Sequence, residues 1–85
     1  MAIVTLRAPL SDLAGAREHA LPGTTVREVL AALEQRCPGI GGWVLDELGA
    51  IRRHVNVYVN GHIAGEGTPV GADDRVRILP AITGG

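Results

Sequence analysis

From His54 to Asn60 apolar and polar positions alternate without a break, with Val55, Val57 and Val59 on one face and His54, Asn56, Tyr58 and Asn60 on the other. A period of two in a run rich in β-branched side chains marks a half-buried strand. Asn60-Gly61 supplies residues that tolerate positive φ, which predicts a tight turn and a short returning strand over His62-Ile63-Ala64. Ala2 to Ala8 is β-branched and roughly alternating until Pro9 closes it off. In the last such run, Arg75 to Pro80, Val76 and Ile78 share one face while Arg75, Arg77 and Leu79 share the other. Arg17 to Leu21 is shorter and reads as a strand running back beside the first.

The period changes after Pro22-Gly23. Val26, Val29, Leu30 and Leu33 recur at the spacing of one helix face, with Arg27, Glu34 and Gln35 on the other side. Thr25-Val26-Arg27-Glu28 fits a capping box at its start. Cys37-Pro38-Gly39 is expected to end it, because proline cannot continue a helix and glycine suits a left-handed exit. Ser11 to Ala16 reads as a connecting loop. Gly39 to Leu48 reads as an irregular segment, with one or two helical turns over Trp43 to Leu48 and Trp43 as a lid on one end of the core. The order is strand, strand, helix, irregular segment, strand, short strand, strand. One helix laid across one mixed sheet is the economical way to bury both apolar faces, which predicts an α+β fold; that the first and last strands lie adjacent and parallel is compatible with this but is not shown by the pattern alone.

Composition narrows this picture in three places. A chain of 85 residues forms one compact domain, and with aromatic residues limited to Trp43 and Tyr58 its core must be aliphatic. A formal charge of −1 gives no basic face for nucleic acid. No apolar run reaches the length of a membrane span and no signal-peptide pattern opens the chain, so the expectation is a cytoplasmic protein without a membrane partner. All eight basic side chains are arginines, so no side-chain amine here can accept an isopeptide bond. Cys37 stands alone and reads as a small buried apolar residue; His19, His54 and His62 lack metal-ligand spacing, and no metal site is expected.

The candidate chemistry lies at the other end. Thr83-Gly84-Gly85 stands directly behind the last strand and presents a slender carboxylate. Glycine has no Cβ and takes conformations closed to other residues, so Gly84-Gly85 can thread an active site too narrow for side chains. The carboxyl group of Gly85 is therefore the expected seat of chemistry, with residues 1–80 as the folded domain and 81–85 as a flexible tail. If the valines of the third strand face the helix, Tyr58, Leu79, Arg75, Arg77 and His54 point outward. Tyrosine, arginine and an exposed leucine are binding anchors, and an ordinary solvated sheet face is the other reading; His54 goes with the second.

This element order, the Asp73-Asp74-Arg75-Val76 turn into the last strand, and the ending Ile78-Leu79-Pro80-Ala81-Ile82-Thr83-Gly84-Gly85 together resemble the ubiquitin-like sulfur carrier proteins. That family includes the molybdopterin synthase small subunit and the thiamine-biosynthesis sulfur carrier. Leu79-Pro80-Ala81, where the molybdopterin subunit usually has Leu-Pro-Pro, and the run Arg53 to Asn60 look closer to the carrier used for cysteine synthesis in actinobacteria. The resemblance implies a ubiquitin-like β-grasp fold and a protein co-substrate rather than an enzyme. An E1-like partner would adenylate Gly85 with ATP, and sulfide or a persulfide would displace AMP to leave a thiocarboxylate. That sulfur would pass to a second, biosynthetic enzyme making cysteine, a thiolated metabolite or a cofactor. The chain itself has no phosphate loop with lysine and is expected to bind no cofactor. Pro80 would limit the conformations of the tail, while Ala81, Ile82 and Thr83 would set its register in the partner's channel. Other readings are a non-catalytic subunit of a molybdopterin synthase-like complex, a ubiquitin-like protein modifier, and a β-grasp adaptor whose Gly-Gly end is incidental.

Overall fold

The computed structural model describes residues 1–80. Five strands and two α-helices follow one another as β1 (Ala2–Leu6), α1 (Leu10–Ala14), β2 (Glu18–Leu21), α2 (Val26–Arg36), β3 (Val55–Val59), β4 (His62–Ile63) and β5 (Arg75–Pro80), with a 3-10 turn over Pro38–Ile40. The strands form one mixed sheet in the order β2-β1-β5-β3-β4. β1 and β5 are parallel neighbours, Leu6 opposite Ile78, and β5 is antiparallel to β3, Val55 opposite Pro80. With α2 packed across one face, this is the ubiquitin-like β-grasp.

Burial follows the periods read from the sequence. Val4, Leu6, Val57, Val76 and Ile78 on the inner sheet face meet Val26, Val29, Leu30 and Leu33 of α2, all at 1% exposure or less. Asn60 (φ 51°) and Gly61 (φ 87°) make the tight turn between β3 and β4, where Val59 pairs with His62. At the start of α2 the Thr25 hydroxyl accepts the Glu28 N–H at 3.3 Å. The reciprocal half of the box is displaced by one residue: the Glu28 carboxylate accepts the Thr24 N–H and hydroxyl, at 2.7 and 2.9 Å.

Three local expectations are corrected. Ser11 to Ala16 is not a loop; most of it belongs to α1, which sets Leu10 into the core. Gly39 is not a left-handed exit. The chain passes from α2 into the 3-10 turn, and Gly39 serves a close approach instead, since a Cβ there would lie 2.5 Å from the Leu13 carbonyl oxygen. Trp43 to Leu48 is not helical either. Val44 and Leu45 are both buried, their N–H groups donate to Glu34 Oε2 at 3.0 Å each, and Leu45 forms a bridge with Ile51. A carboxylate on α2 thus takes backbone donors that sequence pattern had assigned to local turns.

Other carboxylates do similar work. The N–H of Thr24 on Glu28, of Ala50 on Asp46, of Ile51 on Glu66 and of Gly71 on Asp74 each hold the acid below its ordinary range, with the Asn60 amide adding to the effect at Asp74. Ionised acceptors bind such donors more strongly than neutral ones. A carboxyl group depressed in the fold stabilises it above its unfolded pKa, and the contribution is lost as pH falls through the folded value. The melting temperature should therefore hold steady between pH 7 and about 5, then fall progressively below about pH 4.5. Thermal melts across that range check this; a stability that rises on acidification would contradict the assignment.

Candidate functional site

β5 leads to the candidate carboxylate, and it is the middle strand of the sheet. Paired with β1 over residues 75–78 and with β3 over residues 76–80, it is the least free of the five to shift or fray. Its base is tied as well. Asn60 Oδ1 accepts the Arg75 N–H at 3.0 Å, the Asn60 amide donates to Asp74 Oδ1 at 3.1 Å, and Asp74 Oδ2 accepts the Gly71 N–H at 2.8 Å. These contacts clamp the β3–β4 turn to the start of β5. The Asp74 carboxyl is held ionised first by Gly71 and then by Asn60, so the clamp persists at neutral pH.

The sheet face opposite α2 carries the outward residues. Arg75 and Arg77 are exposed, and Tyr58 and Leu79 are half-buried. The register sets Tyr58 directly opposite Arg77 and Leu79 opposite Asn56. Thr5 lies against Arg77 from the other side, Glu18 is opposite Thr5, and Ile63 is opposite Tyr58. One row of side chains thus crosses all five strands: Glu18, Thr5, Arg77, Tyr58, Ile63. Ile63 is 72% exposed, an apolar side chain at the edge of a face that also offers two cations and a phenol. Such a mixture suits a protein partner that buries aromatic and aliphatic groups and pairs acids with the arginines.

The sequence-predicted residues divide cleanly. Tyr58, Arg75, Arg77 and Leu79 share this face, and Pro80 stands at its end where β5 last pairs with Val55. His54 precedes β3 and is exposed at the same end of the sheet as Pro80. Ala81, Ile82, Thr83, Gly84 and Gly85 lie outside the described residues. Thr5, Glu18 and Ile63 were missed. Ile63 was within reach, since a two-residue Asn60-Gly61 turn already implies that Tyr58 faces Ile63; Thr5 and Glu18 depend on long-range register and carry no local signal.

On the covered side, Cys37 is buried as expected, and its Sγ lies 3.9 Å from His19 Nδ1. His19 Nε2 is 3.0 Å from the Ala16 carbonyl oxygen, so the ring is held between two partners rather than standing free on an edge strand. Among the described residues no group of three or more His, Cys, Asp or Glu could hold a metal, and no helix is long and apolar enough to cross a membrane.

Comparison with known proteins agrees with this geometry. The ThiS family model matches residues 4–85. Small archaeal modifier protein 1 of Haloferax volcanii is 31% identical over 83 residues, 94% of this chain and 95% of its own. The sulfur carrier protein CysO of Mycobacterium tuberculosis is 34% identical over 77 residues, 84% of this chain and 83% of that one. A chain of the BexX/CysO complex of Amycolatopsis orientalis superposes with a TM-score of 0.87 at 30% identity, each chain covered over 100% of its length.

Proposed function

The chain belongs to the ThiS family of ubiquitin-like sulfur carriers, and on that premise we propose that it carries sulfur on the carboxyl group of Gly85. The observation that supports this reading most is the placement of β5: the central strand ends three residues before the Gly-Gly sequence, beside a sheet face fit for docking.

An E1-like enzyme would bind the Tyr58, Arg75, Arg77 and Leu79 face and take Ala81 to Gly85 into its active site. A Gly85 carboxylate oxygen attacks the α-phosphorus of ATP, pyrophosphate leaves, and an acyl adenylate forms. Sulfide then adds to the acyl carbon, or the terminal sulfur of a persulfide adds there and a thiol afterwards cleaves the S–S bond of the resulting acyl disulfide. AMP leaves with the former carboxylate oxygen, and Gly85 ends as a thiocarboxylate. The negative sulfur is a tethered nucleophile for a second, biosynthetic enzyme. The chain supplies the acyl group and the docking surface; ATP and the catalytic groups belong to the partner. Its role is that of a co-substrate acting in the cytoplasm.

Intact-protein mass spectrometry after incubation with an E1-like enzyme, ATP and sulfide tests this. A gain of about 16 mass units, oxygen replaced by sulfur at an activated acyl carbon, is expected. No gain, while the enzyme's own carrier reacts, would overturn the reading.

A second reading, protein modification, is favoured by the likeness to small archaeal modifier protein 1. It shares the adenylate and differs in the acceptor, a lysine amine of another protein. Conjugates that survive thiol treatment would select it.

The docking face makes a separate prediction. Y58A combined with R77E should raise KM for the activating enzyme by about 10–100-fold, the range of one or two binding anchors, with kcat within a few-fold. Because these side chains are not in the core, the melting temperature should move little. Steady-state kinetics that show an unchanged KM would return the face to an ordinary solvated surface.

A further inference from the structure

The arginines of this chain fall into three groups. Arg27, Arg36 and Arg52 are engaged within the fold, where they donate to the carbonyl oxygens of Leu48, Ala20 and Gly42. Arg75 and Arg77 belong to the outer face of β5. Arg7, Arg17 and Arg53 are exposed, and the topology brings them to one end of the sheet. Arg7 follows Leu6, the last residue of β1, and Leu6 lies opposite Ile78. Arg17 stands on the other side of Leu6, whose N–H its carbonyl oxygen accepts at 2.7 Å. Arg53 comes two residues before Val55, which pairs with Pro80. In the order β2-β1-β5-β3 the three therefore flank the end of β5 on both sides. The opposite end of that strand is acidic: Asp73 and Asp74 precede it, and the Asp73 N–H donates to the Met1 carbonyl ahead of β1. Asp12 and Glu18, the acids next to Arg7 and Arg17 along the chain, reduce the charge of the arginine end without cancelling it.

We propose that Arg7, Arg17 and Arg53 form a collar that binds acidic side chains on the enzyme that acts on Gly85. The inference rests on the carrier reading and extends its docking surface from the sheet face around the end of β5. The chain continues from Pro80, the last residue of β5, so an enzyme that works on Gly85 presents a surface to this end of the sheet. Arg7 continues the alternation of Ile3 and Thr5, which puts it on the same outer face as Arg77 and makes collar and face continuous. Sign and spacing identify what the partner carries. From β2 to β3 the collar spans three inter-strand distances, about 14 Å. Cations spread that far meet several separate carboxylates of a protein surface, whereas a single phosphate group engages one arginine or an adjacent pair.

Each such contact is weak, because both charges are hydrated and screened. Their effect falls mainly on encounter, since opposite potentials draw two proteins together faster and in one orientation. With acids at the base of β5 and arginines at its end, the field of the chain turns that end toward an acidic surface. Tyr58 and Leu79 then supply the apolar contact that holds the pair together. Approach and grip are thus divided between the collar and the face, and a change in the collar is read in KM and its salt dependence rather than in kcat.

The test uses the E1-like enzyme that thiolates the parent chain and compares that chain with the triple variants R7Q/R17Q/R53Q and R7K/R17K/R53K. At low salt, about 50 mM, the glutamine variant should raise KM about 10-fold with kcat within a few-fold, and its KM should respond much less to added salt than the parent's. At about 1 M salt, where screening acts over about 3 Å, the two should converge. The lysine variant should keep KM within a few-fold of the parent's at low salt, because it keeps the charge. Both variants should melt with the parent, since the three side chains are exposed. A glutamine variant with the parent's KM and salt response overturns the collar and leaves the carrier reading standing, because the parent is thiolated in the same assay. A lysine variant as impaired as the glutamine one also overturns it, since recognition would then depend on guanidinium shape rather than on charge. If no E1-like enzyme thiolates the parent, the carrier reading fails and the collar fails with it.

Discussion

Deletion of Gly85 is expected to abolish activation of this chain, with a loss of more than about 10³-fold in the rate of sulfur incorporation. The body and docking face stay intact in this variant, so binding to the partner should persist. What changes is reach: one residue fewer withdraws the carboxylate by about 3.5 Å. A displacement of about 1 Å already costs on the order of a hundredfold when geometry is set for attack, so a truncated chain presents its carboxylate where no nucleotide phosphorus can be reached. Restoring the length with a bulkier residue separates reach from width. G84V keeps the carboxylate at its distance but adds a β-branched side chain where the partner's channel is expected to be narrow. Its loss should fall on kcat/KM by about 10²-fold or more, while the chain still competes with the parent protein for the enzyme. Mass spectrometry and competition kinetics measure both. Full activity of either variant would detach the function from the Gly-Gly end and favour the adaptor reading.

The largest effect on the fold itself is expected at Ile78. Its side chain is at 0% exposure on the inner face of the central strand, between β1 and β3. Truncation to alanine removes buried methylene and methyl groups and leaves a cavity that hydrogen bonds on both sides of the strand prevent from closing, so I78A should lose about 3–4 kcal/mol. That is a large part of the 5–15 kcal/mol, in round terms, that holds a small domain together. At about 4–8 °C for each kcal/mol, the melting temperature should drop by roughly 12–30 °C. L79A, one residue further on the same strand, faces outward and should lose less than about 1 kcal/mol. Urea unfolding of the pair measures the contrast. Equal losses would mean that the face assignment of β5 is wrong. For I78A the expected functional result is normal activation of the folded fraction at low temperature, because the tail and its docking face are untouched.

Much of this architecture was legible along the chain. Val55 to Val59 alternates and becomes β3; Val26, Val29, Leu30 and Leu33 recur at helical spacing and become the buried stripe of α2. Asn60-Gly61 turns where its tolerance for positive φ predicts. In each case the deciding interaction lies within a few residues, so the local pattern carries it. The failures are equally physical. Leu10 to Ala14 is a helix of five residues, too short for its period to show, and it forms because Leu10 is drawn into the core. Val44 and Leu45 left their expected helical turn because Glu34, ten and eleven residues away on α2, accepts both N–H groups.

The candidate site divides the same way. Tyr58, Arg77 and Leu79 could be assigned an outward direction from alternation alone, since parity is a property of each strand. That Tyr58 stands opposite Arg77, and that Glu18, Thr5 and Ile63 complete their row, depended on which strands pair and in what register. Taken by itself, the sequence determined the strand and helix periods, the aliphatic core and the Asn60-Gly61 turn. Only the tertiary structure decided that β5 lies in the middle of the sheet, that Asn60 and Asp74 clamp its base, and that Pro9, Leu10, Trp43 and Val55 gather beside Pro80. Periodicity records which way a side chain faces, because its cause is the local backbone. Neighbours across a sheet are chosen by the burial of the whole inner face at once, and no local stretch of the chain contains that choice.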